Sequence, residues 1–96
     1  MTGYVLSRRA REDLREIWNY TADRWDDDQA DRYVRQLHRA VELIAMNPER
    51  GRSYEHVRRG YRMFPAGAHM IFFRQVQDRI NIVRVLHQRM DFQRHL

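Results

Sequence analysis

The feature that most constrains this fold is a pair of amphipathic helical patterns separated by only two or three residues. Apolar side chains recur at helical spacing over residues 10–25 and again over residues 30–45, with charged residues between them. Ser7 precedes the first pattern and the Asp26–Asp28 run precedes the second, and both are typical helix caps. The Asn47-Pro48 pair ends the second helix, because the residue before a proline is pushed out of the helical region. Two helices joined so closely should lie antiparallel, and their apolar faces need a third surface to cover them.

The rest of the chain predicts strands that can supply that surface. Short segments rich in β-branched and aromatic residues stand between turn signals, which is the usual pattern of strands. They are Tyr4–Leu6 before the first helix and Tyr61–Phe64, His69–Val76 and Ile80–Leu86 after the second, with turns at Pro65–Gly67 and Gln77–Arg79. Residues 49–60 are polar and predict an irregular connection. We therefore predict one α+β domain over residues 1–96, in the order β-α-α-β-β-β, with an N-terminal helical hairpin packed on a small, mostly antiparallel β-sheet.

Composition excludes several classes of protein. At 96 residues the chain can bury only about 60 to 65% of its unfolded surface, so its core is thin and a partner could complete it. Cysteine is absent, which excludes disulfides, a thiol nucleophile and thiolate metal sites. No apolar run approaches the roughly 20 residues that span a bilayer, and the first residues show no signal-peptide pattern. We expect a cytoplasmic protein with no membrane partner.

Positive charge is concentrated in the second half of the chain. Residues 1–48 carry eight arginines against nine acids, whereas residues 49–96 carry ten arginines against four acids. There is no lysine, so every strongly basic side chain is an arginine, which keeps its charge at any working pH. A basic half of this kind suits an acidic partner, either nucleic acid or an acidic protein segment, although solvated surface arginines give the same count.

The third predicted strand has two apolar faces. Met70 and Phe72 point to one side of the sheet, while Ile71 and Phe73 point to the other, because side chains alternate along a strand. Only one of these faces can be covered by the helical hairpin. We therefore expect an apolar surface to remain on the side away from the helices, where a partner segment would lie.

Several short motifs resemble one family of bacterial proteins. They are LxxIWxY (Leu14–Tyr20), DRW (Asp23–Trp25), VRRGYR (Val57–Arg62), HMIFFR (His69–Arg74) and RVLHQRMD (Arg84–Asp91). Together they span nearly the whole chain, and with them it resembles the ParE branch of the ParE/RelE toxin superfamily. The resemblance implies the RelE/ParE-like fold and the toxin half of a type II toxin-antitoxin system.

Partners follow from the same resemblance. It implies a cognate ParD-like antitoxin whose C-terminal tail wraps the toxin, giving a hetero-oligomer. It also implies DNA gyrase as the target, inhibited by protein binding rather than by catalysis. No cofactor and no sequence-specific nucleic acid binding are expected. A metal site is not expected either, because the remaining histidines share no ligand spacing; these are His38, His56 and His95.

Two sets of residues are candidates for these contacts. The C-terminal segment, Leu86–Leu96, is the candidate for target binding, and within it the run after the last strand stands out: His87, Gln88, Arg89, Met90 and Asp91. Arginines on neighbouring strands could gather into one patch that clamps an acidic antitoxin tail through bidentate pairs. The candidates for antitoxin binding are Arg62, Arg74 and Arg84, together with the apolar Met70 and Phe72.

Other interpretations of these residues stay open. In a RelE-like ribosome-dependent mRNA endoribonuclease, His87 would act as the base and Arg89 as the phosphate clamp. That set is incomplete, since the chain has no lysine and carries His69 where those enzymes place a clamp arginine. The chain could also be a nucleic-acid-binding module, whose affinity would fall steeply with salt. Trp18 and Trp25 are predicted to lie in the core of the helical hairpin.

Overall fold

A computed structural model describes residues 3–96. Strand β1 (Gly3–Leu6) is followed by two helices, α1 (Arg8–Arg24) and α2 (Asp27–Met46), and then by strands β2 (Arg52–Ser53), β3 (Tyr61–Ala66), β4 (His69–Val76) and β5 (Arg79–His87). Short 3-10 turns occur at Pro48–Arg50 and Phe92–Arg94. The predicted α+β order is confirmed, with the two-residue β2 added inside the connection that was predicted to be irregular.

The helix boundaries follow from their capping residues. The Ser7 hydroxyl accepts a hydrogen bond from the Ala10 N–H at 2.9 Å, and the Asp26 carboxylate accepts one from the Gln29 N–H at 2.7 Å. Each cap satisfies a backbone donor that has no partner within its own helix. Helix α2 ends at Met46, directly before the Asn47-Pro48 pair, as predicted. Neither helix is long and apolar enough to span a membrane.

The five strands form one sheet in the order β1-β5-β4-β3-β2, in which only β1 and β5 run parallel. The predicted turn at Pro65–Gly67 is wrong by two residues, because β3 continues through Ala66. Pro65 is tolerated because β2 pairs with β3 only at Arg62 and Met63, so the missing N–H of Pro65 lies on an unpaired edge.

The main core lies between the helical hairpin and one face of the sheet, which we call the inner face. Many of its largest fully buried side chains come from α2 and from strands β4 and β5: Leu37, Ile44, Ile71, Phe73, Ile80 and Ile82. Burying each of these side chains contributes about 1.5 to 3 kcal/mol before entropy is counted. This layer fixes the hairpin over β4 and β5.

The chain itself covers half of the opposite, outer face. Phe72 is completely buried there, with the rings of Tyr54 and Phe92 packed edge-on against it at 5.5 and 4.8 Å between centroids. The C-terminal 3-10 turn folds back over β4 and β5 and brings Phe92 and Leu96 onto Leu86. The expectation that this face stays open is therefore wrong for the half that carries Met70 and Phe72.

Candidate partner-binding groove

A groove of about 610 Å³ lies where the helical hairpin overhangs the end of β5. Its walls come from the C-terminal half of α1, the start of α2 and the ends of β4 and β5, and they are mostly apolar. The side chains that matter for its chemistry are Tyr20, Trp25, Tyr33, His69, His87 and Met90. A concave, mainly apolar site with a few polar groups at one end is the usual form of a binding site.

Two large aromatic residues stand exposed at the rim of the groove. Trp25 is 70% exposed and Tyr20 is 65% exposed. The prediction that Trp25 lies in the hairpin core is wrong, because α1 ends at Arg24 and Trp25 extends past its last turn. Trp18 is half-buried, and its indole N–H donates to Asp31 at 2.9 Å, which joins α1 to α2. Adjacent exposed aromatic side chains of this size typically mark a protein interface.

One wall of the groove is the free edge of β5. Strand β1 pairs with β5 only as far as Leu6 and Ile82. The Ser7 N–H then donates to the Ile82 carbonyl at 2.9 Å, and the Ser7 hydroxyl donates to the Val83 carbonyl at 2.8 Å. Beyond this point no strand continues the sheet, so β5 from Val85 onward is an edge of the kind that can accept an added strand.

The Asp13 carboxylate protects part of this edge and binds Arg84. It accepts hydrogen bonds from the Arg84 guanidinium at 2.8 and 2.9 Å and from the Val85 N–H at 2.9 Å. The same guanidinium donates to the His95 carbonyl at 2.7 Å. These hydrogen bonds to Asp13 raise the pKa of Arg84 above its ordinary value, although burial acts in the opposite direction. No local sequence pattern distinguishes Asp13 from Glu12 or Glu16 on the same helix.

Tyr33, His69 and His87 form a hydrogen-bonded cluster at one end of the groove. The Ala68 N–H donates to the Tyr33 hydroxyl at 2.9 Å, so the hydroxyl hydrogen is free to donate to His69 Nδ1 at 2.6 Å. Donation in this direction corresponds to the His69 tautomer that is protonated on Nε2. His69 and His87 are opposite residues of β4 and β5, and their ring centroids lie 5.3 Å apart. Sequence spacing did not predict this pairing of the two histidines with Tyr33.

Burial of His69 dominates the electrostatics of this cluster. Burial, aided by the nearby His87, lowers the pKa of His69 to about 4, so its imidazole is neutral at neutral pH. His87 Nδ1 accepts the backbone N–H of Arg89 at 3.1 Å, while the Arg89 side chain is exposed. A neutral His69 cannot serve as a protonated donor to a leaving oxygen. Within residues 3–96, no three metal-ligating side chains converge.

The residues predicted for antitoxin binding do not form one surface. Arg62 is opposite Phe73, so it faces the inner side of the sheet, where it donates to the Gly51 carbonyl at 3.0 Å. Arg74 is opposite Tyr61 and faces the outer side, where it is exposed to solvent. Phe73 and Arg74 are consecutive residues of β4, so their side chains point to opposite faces of the sheet. The expectation that the arginines of the three strands gather into a single patch is therefore wrong, because Arg62 and Arg74 lie on opposite faces of the sheet.

Three of those candidates are engaged within the chain. Phe72 is buried and Met70 is half-buried beneath the C-terminal turn, and Arg84 is held by Asp13. Phe72 could contact an antitoxin only if its internal contacts were broken, whereas Arg84 lines the groove while paired with Asp13. A role in antitoxin binding remains a prediction for all five candidates.

The residues predicted for target binding are close together but differ in their contacts. His87 and Met90 line the groove. The Gln88 carboxamide donates to the carbonyls of Gly67 and His69 at 3.0 and 3.2 Å, which fixes the start of the segment. Arg89 is exposed, and Asp91 pairs loosely with Arg94 at 3.5 Å.

Comparison with known protein families matches residues 4–92 to the family described as "ParE toxin of type II toxin-antitoxin system, parDE". The chain belongs to the ParE toxin family. It is 48% identical to "Toxin ParE1" of Mycobacterium tuberculosis over 94 residues, covering 97% of this chain and 96% of that protein. It is also 46% identical to "Toxin ParE1" of Caulobacter vibrioides over 96 residues, covering 100% of this chain and 99% of that protein.

A solved structure confirms the fold. The chain from the "Chromosomal ParDE TA system from P. aeruginosa" superposes with a TM-score of 0.80 and covers 91% of this chain and 96% of that one. The two share 19% of their residues, so this likeness carries the ParE fold and no detail of a site. The resemblance inferred from the sequence motifs is thus confirmed at the level of family and fold.

Proposed function

We propose that this ParE family member inhibits DNA gyrase in the cytoplasm by protein binding, and that a ParD-type antitoxin neutralises it by filling the groove. One observation carries the proposal. His87 and Met90 belong to the segment predicted to contact the target, and they line the same groove as Trp25. An antitoxin segment in the groove would therefore cover part of the target-binding surface.

The groove supplies what an antitoxin segment would need. Tyr20 and Trp25 offer exposed aromatic area, which supplies much of the affinity in protein interfaces. The edge of β5 beyond Val85 offers backbone groups to an extended segment. The solved relative from P. aeruginosa is titled as a ParDE system, and we extend its type of partner to this chain as part of the proposal.

A non-enzymatic mode of action is part of the same proposal. Cleavage of RNA needs a base, a protonated donor and a cationic clamp arranged around one phosphate. Of the two imidazoles that meet in the groove, His69 is neutral and already bonded to Tyr33. Arg84, an arginine that lines the groove, is paired with Asp13. The chemistry present favours recognition over catalysis.

A supercoiling assay with purified gyrase tests the target. We expect the wild-type chain to inhibit supercoiling and Met90→Ala to inhibit less, because Met90 is 38% exposed at the mouth of the groove. Gln93→Ala is the matched control, since Gln93 is exposed in the same segment but does not line the groove. Full supercoiling in the presence of excess wild-type chain would defeat the assignment of gyrase. Codon-periodic mRNA cuts that disappear in His87→Ala would instead support a ribonuclease.

A further inference from the structure

The half of the outer face that the C-terminal turn leaves open carries one row of side chains across four strands. Val5 is opposite Asn81, Asn81 is opposite Arg74, and Arg74 is opposite Tyr61. Opposite residues share a face of the sheet, so these four side chains form a line about 14 Å long at about 4.8 Å per strand. We call this line the Arg74 row. It lies in a depression of about 320 Å³.

Within residues 3–96, Arg74 and two arginines beside the row, Arg79 and Arg58, have no acidic partner. Arg79 is opposite Val76, which makes it a diagonal neighbour of Arg74 at about 7 to 8 Å. The Arg58 guanidinium lies 5.8 Å from the centre of the Tyr61 ring. Within residues 3–96, the ion pairs involve other arginines: Arg8, Arg84 and Arg94. Neighbouring positive charges repel one another, and a bound polyanion would relieve that repulsion.

The functional groups in the row match those that contact nucleic acid phosphates. Guanidinium groups fit phosphate oxygens bidentately, and asparagine carboxamides and tyrosine hydroxyls also donate to them. Asn81 and Tyr61 are half-buried with their polar ends on this face, whereas Arg74 and Arg79 are exposed. We propose that the Arg74 row binds the phosphate backbone of duplex DNA without reading its sequence.

An acidic protein segment fits this surface less well. Tight protein interfaces are centred on an anchor side chain in a deep, desolvated pocket. The depression here has about half the volume of the groove, about 320 against 610 Å³, and its apolar lining beyond the Tyr61 ring consists of Val5, Ile82 and Val83. Phosphate contacts need charge and hydrogen-bond donors but no such pocket.

Single-stranded nucleic acid is also disfavoured. Proteins that bind single strands stack the bases on exposed aromatic rings. Tyr61 is the aromatic ring of the row, and the guanidinium of Arg58 already lies against it. Duplex DNA needs only its outer phosphates to be contacted, which the arginines can do.

This inference goes beyond the proposed function and does not depend on it. The Arg74 row is on the outer face of the sheet, whereas the groove opens between the helices and the end of β5. A chain whose groove is filled would therefore still present the row. DNA binding and gyrase inhibition can succeed or fail separately.

The test is fluorescence anisotropy of a labelled duplex of about 20 base pairs with the purified chain, from roughly 50 to 200 mM salt. Three phosphate contacts predict a slope of about −2.7 in log K against log salt, at about −0.9 for each contact. Arg74→Gln and Arg79→Gln should each reduce the slope by about one unit and weaken all sequences equally. Arg39→Gln is the matched control, since it removes the same charge from the exposed side of α2.

Four results would overturn the proposal. They are no anisotropy change at the lowest salt, a loss in Arg39→Gln equal to that in Arg74→Gln, tighter binding of the single strand than of the duplex, and equal competition by a polyglutamate peptide of matched charge. Thermal unfolding of each variant should give the wild-type midpoint, because these side chains are exposed and unpaired within the described chain. With folding checked in this way, a loss of binding reports on the surface itself.

Discussion

Asp13 in the first helix and Arg84 in the last strand form a buried ion pair joined by two hydrogen bonds of 2.8 and 2.9 Å. The two residues are 7% and 9% exposed. Because Arg84 also donates to the His95 carbonyl, the pair ties the helical hairpin, the edge of β5 and the C-terminal turn together. The groove has this pair in its wall, so its shape depends on the pair remaining intact.

Asp13→Ala should lower the free energy of unfolding by about 3 to 5 kcal/mol, because it leaves a buried guanidinium without its counter-charge. It also removes the acceptor of the Val85 N–H. Urea denaturation followed by circular dichroism measures the change. Glu12→Ala is the control, since Glu12 pairs with Arg8 on an exposed helix face, where such a pair contributes about 0 to 1 kcal/mol. Equal losses in the two variants would show that the buried pair has no special role.

Phe92→Ala should destabilise the chain by about 2 kcal/mol, less than the roughly 3 to 5 kcal/mol of a fully buried phenylalanine, because Phe92 is only half-buried. Its ring packs on Phe72, which would become exposed to water. Denaturation together with binding of a hydrophobic dye measures both effects. Gln93→Ala, in the same turn, should change neither quantity. A stable Phe92→Ala variant that binds no dye would mean that Phe72 is covered by something else.

Gly51→Ala should destabilise the chain by about 3 kcal/mol, since overpacking a filled core costs about 1 to 3 kcal/mol. A β-carbon at this position would overlap the ring of Phe73, which is completely buried. Gly60→Ala is the comparison, because Gly60 has a φ of 79° but open space around it, so only backbone strain of about 1 kcal/mol should result. Combining Gly51→Ala with Phe73→Leu should cost less than the sum of the two changes. Additive costs would contradict the contact.

His69 should make the folded state less stable in acid. Its folded pKa of about 4 lies below the ordinary value of 6.5, so the unfolded chain binds this proton first as the pH falls. The contribution of His69 is therefore fully present above pH 6.5 and is lost as the pH falls towards 4. His69→Asn keeps an acceptor for the Tyr33 hydroxyl and removes the titration. Unfolding free energies at several pH values should fall less steeply in this variant, and identical slopes would refute the assignment.

Local signals in the sequence predicted both helices and four of the five strands, and they missed only the two-residue β2 among the strands. Ser7 and Asp26 begin the helices, and the Asn47-Pro48 pair ends the second, because capping and the proline restriction act over a few residues. Alternation along β4 correctly separated Ile71 and Phe73 from Met70 and Phe72. These properties depend only on neighbours in the chain.

Contacts between distant residues were not predictable in the same way. Asp13 meets Arg84 across 71 positions of the chain, and no local pattern marks one acid of an amphipathic helix as buried. The register of β4 and β5 is what brings His69 to His87. Trp25 has the correct helical phase for the core, but the helix ends one residue too early to bury it. All five of these residues line the groove, so its shape could not be predicted from local patterns.

Growth rescue by the antitoxin tests the role of the groove most directly. Expression of the wild-type chain should arrest growth, and co-expression of its ParD-type antitoxin should restore it. The double variant Tyr20→Asp with Trp25→Asp should still arrest growth but should no longer be rescued, because both rings are lost from the rim of the groove. Met46→Asp, at a position 79% exposed outside the groove, should be rescued like the wild type. Full rescue of the double variant would show that the antitoxin binds elsewhere.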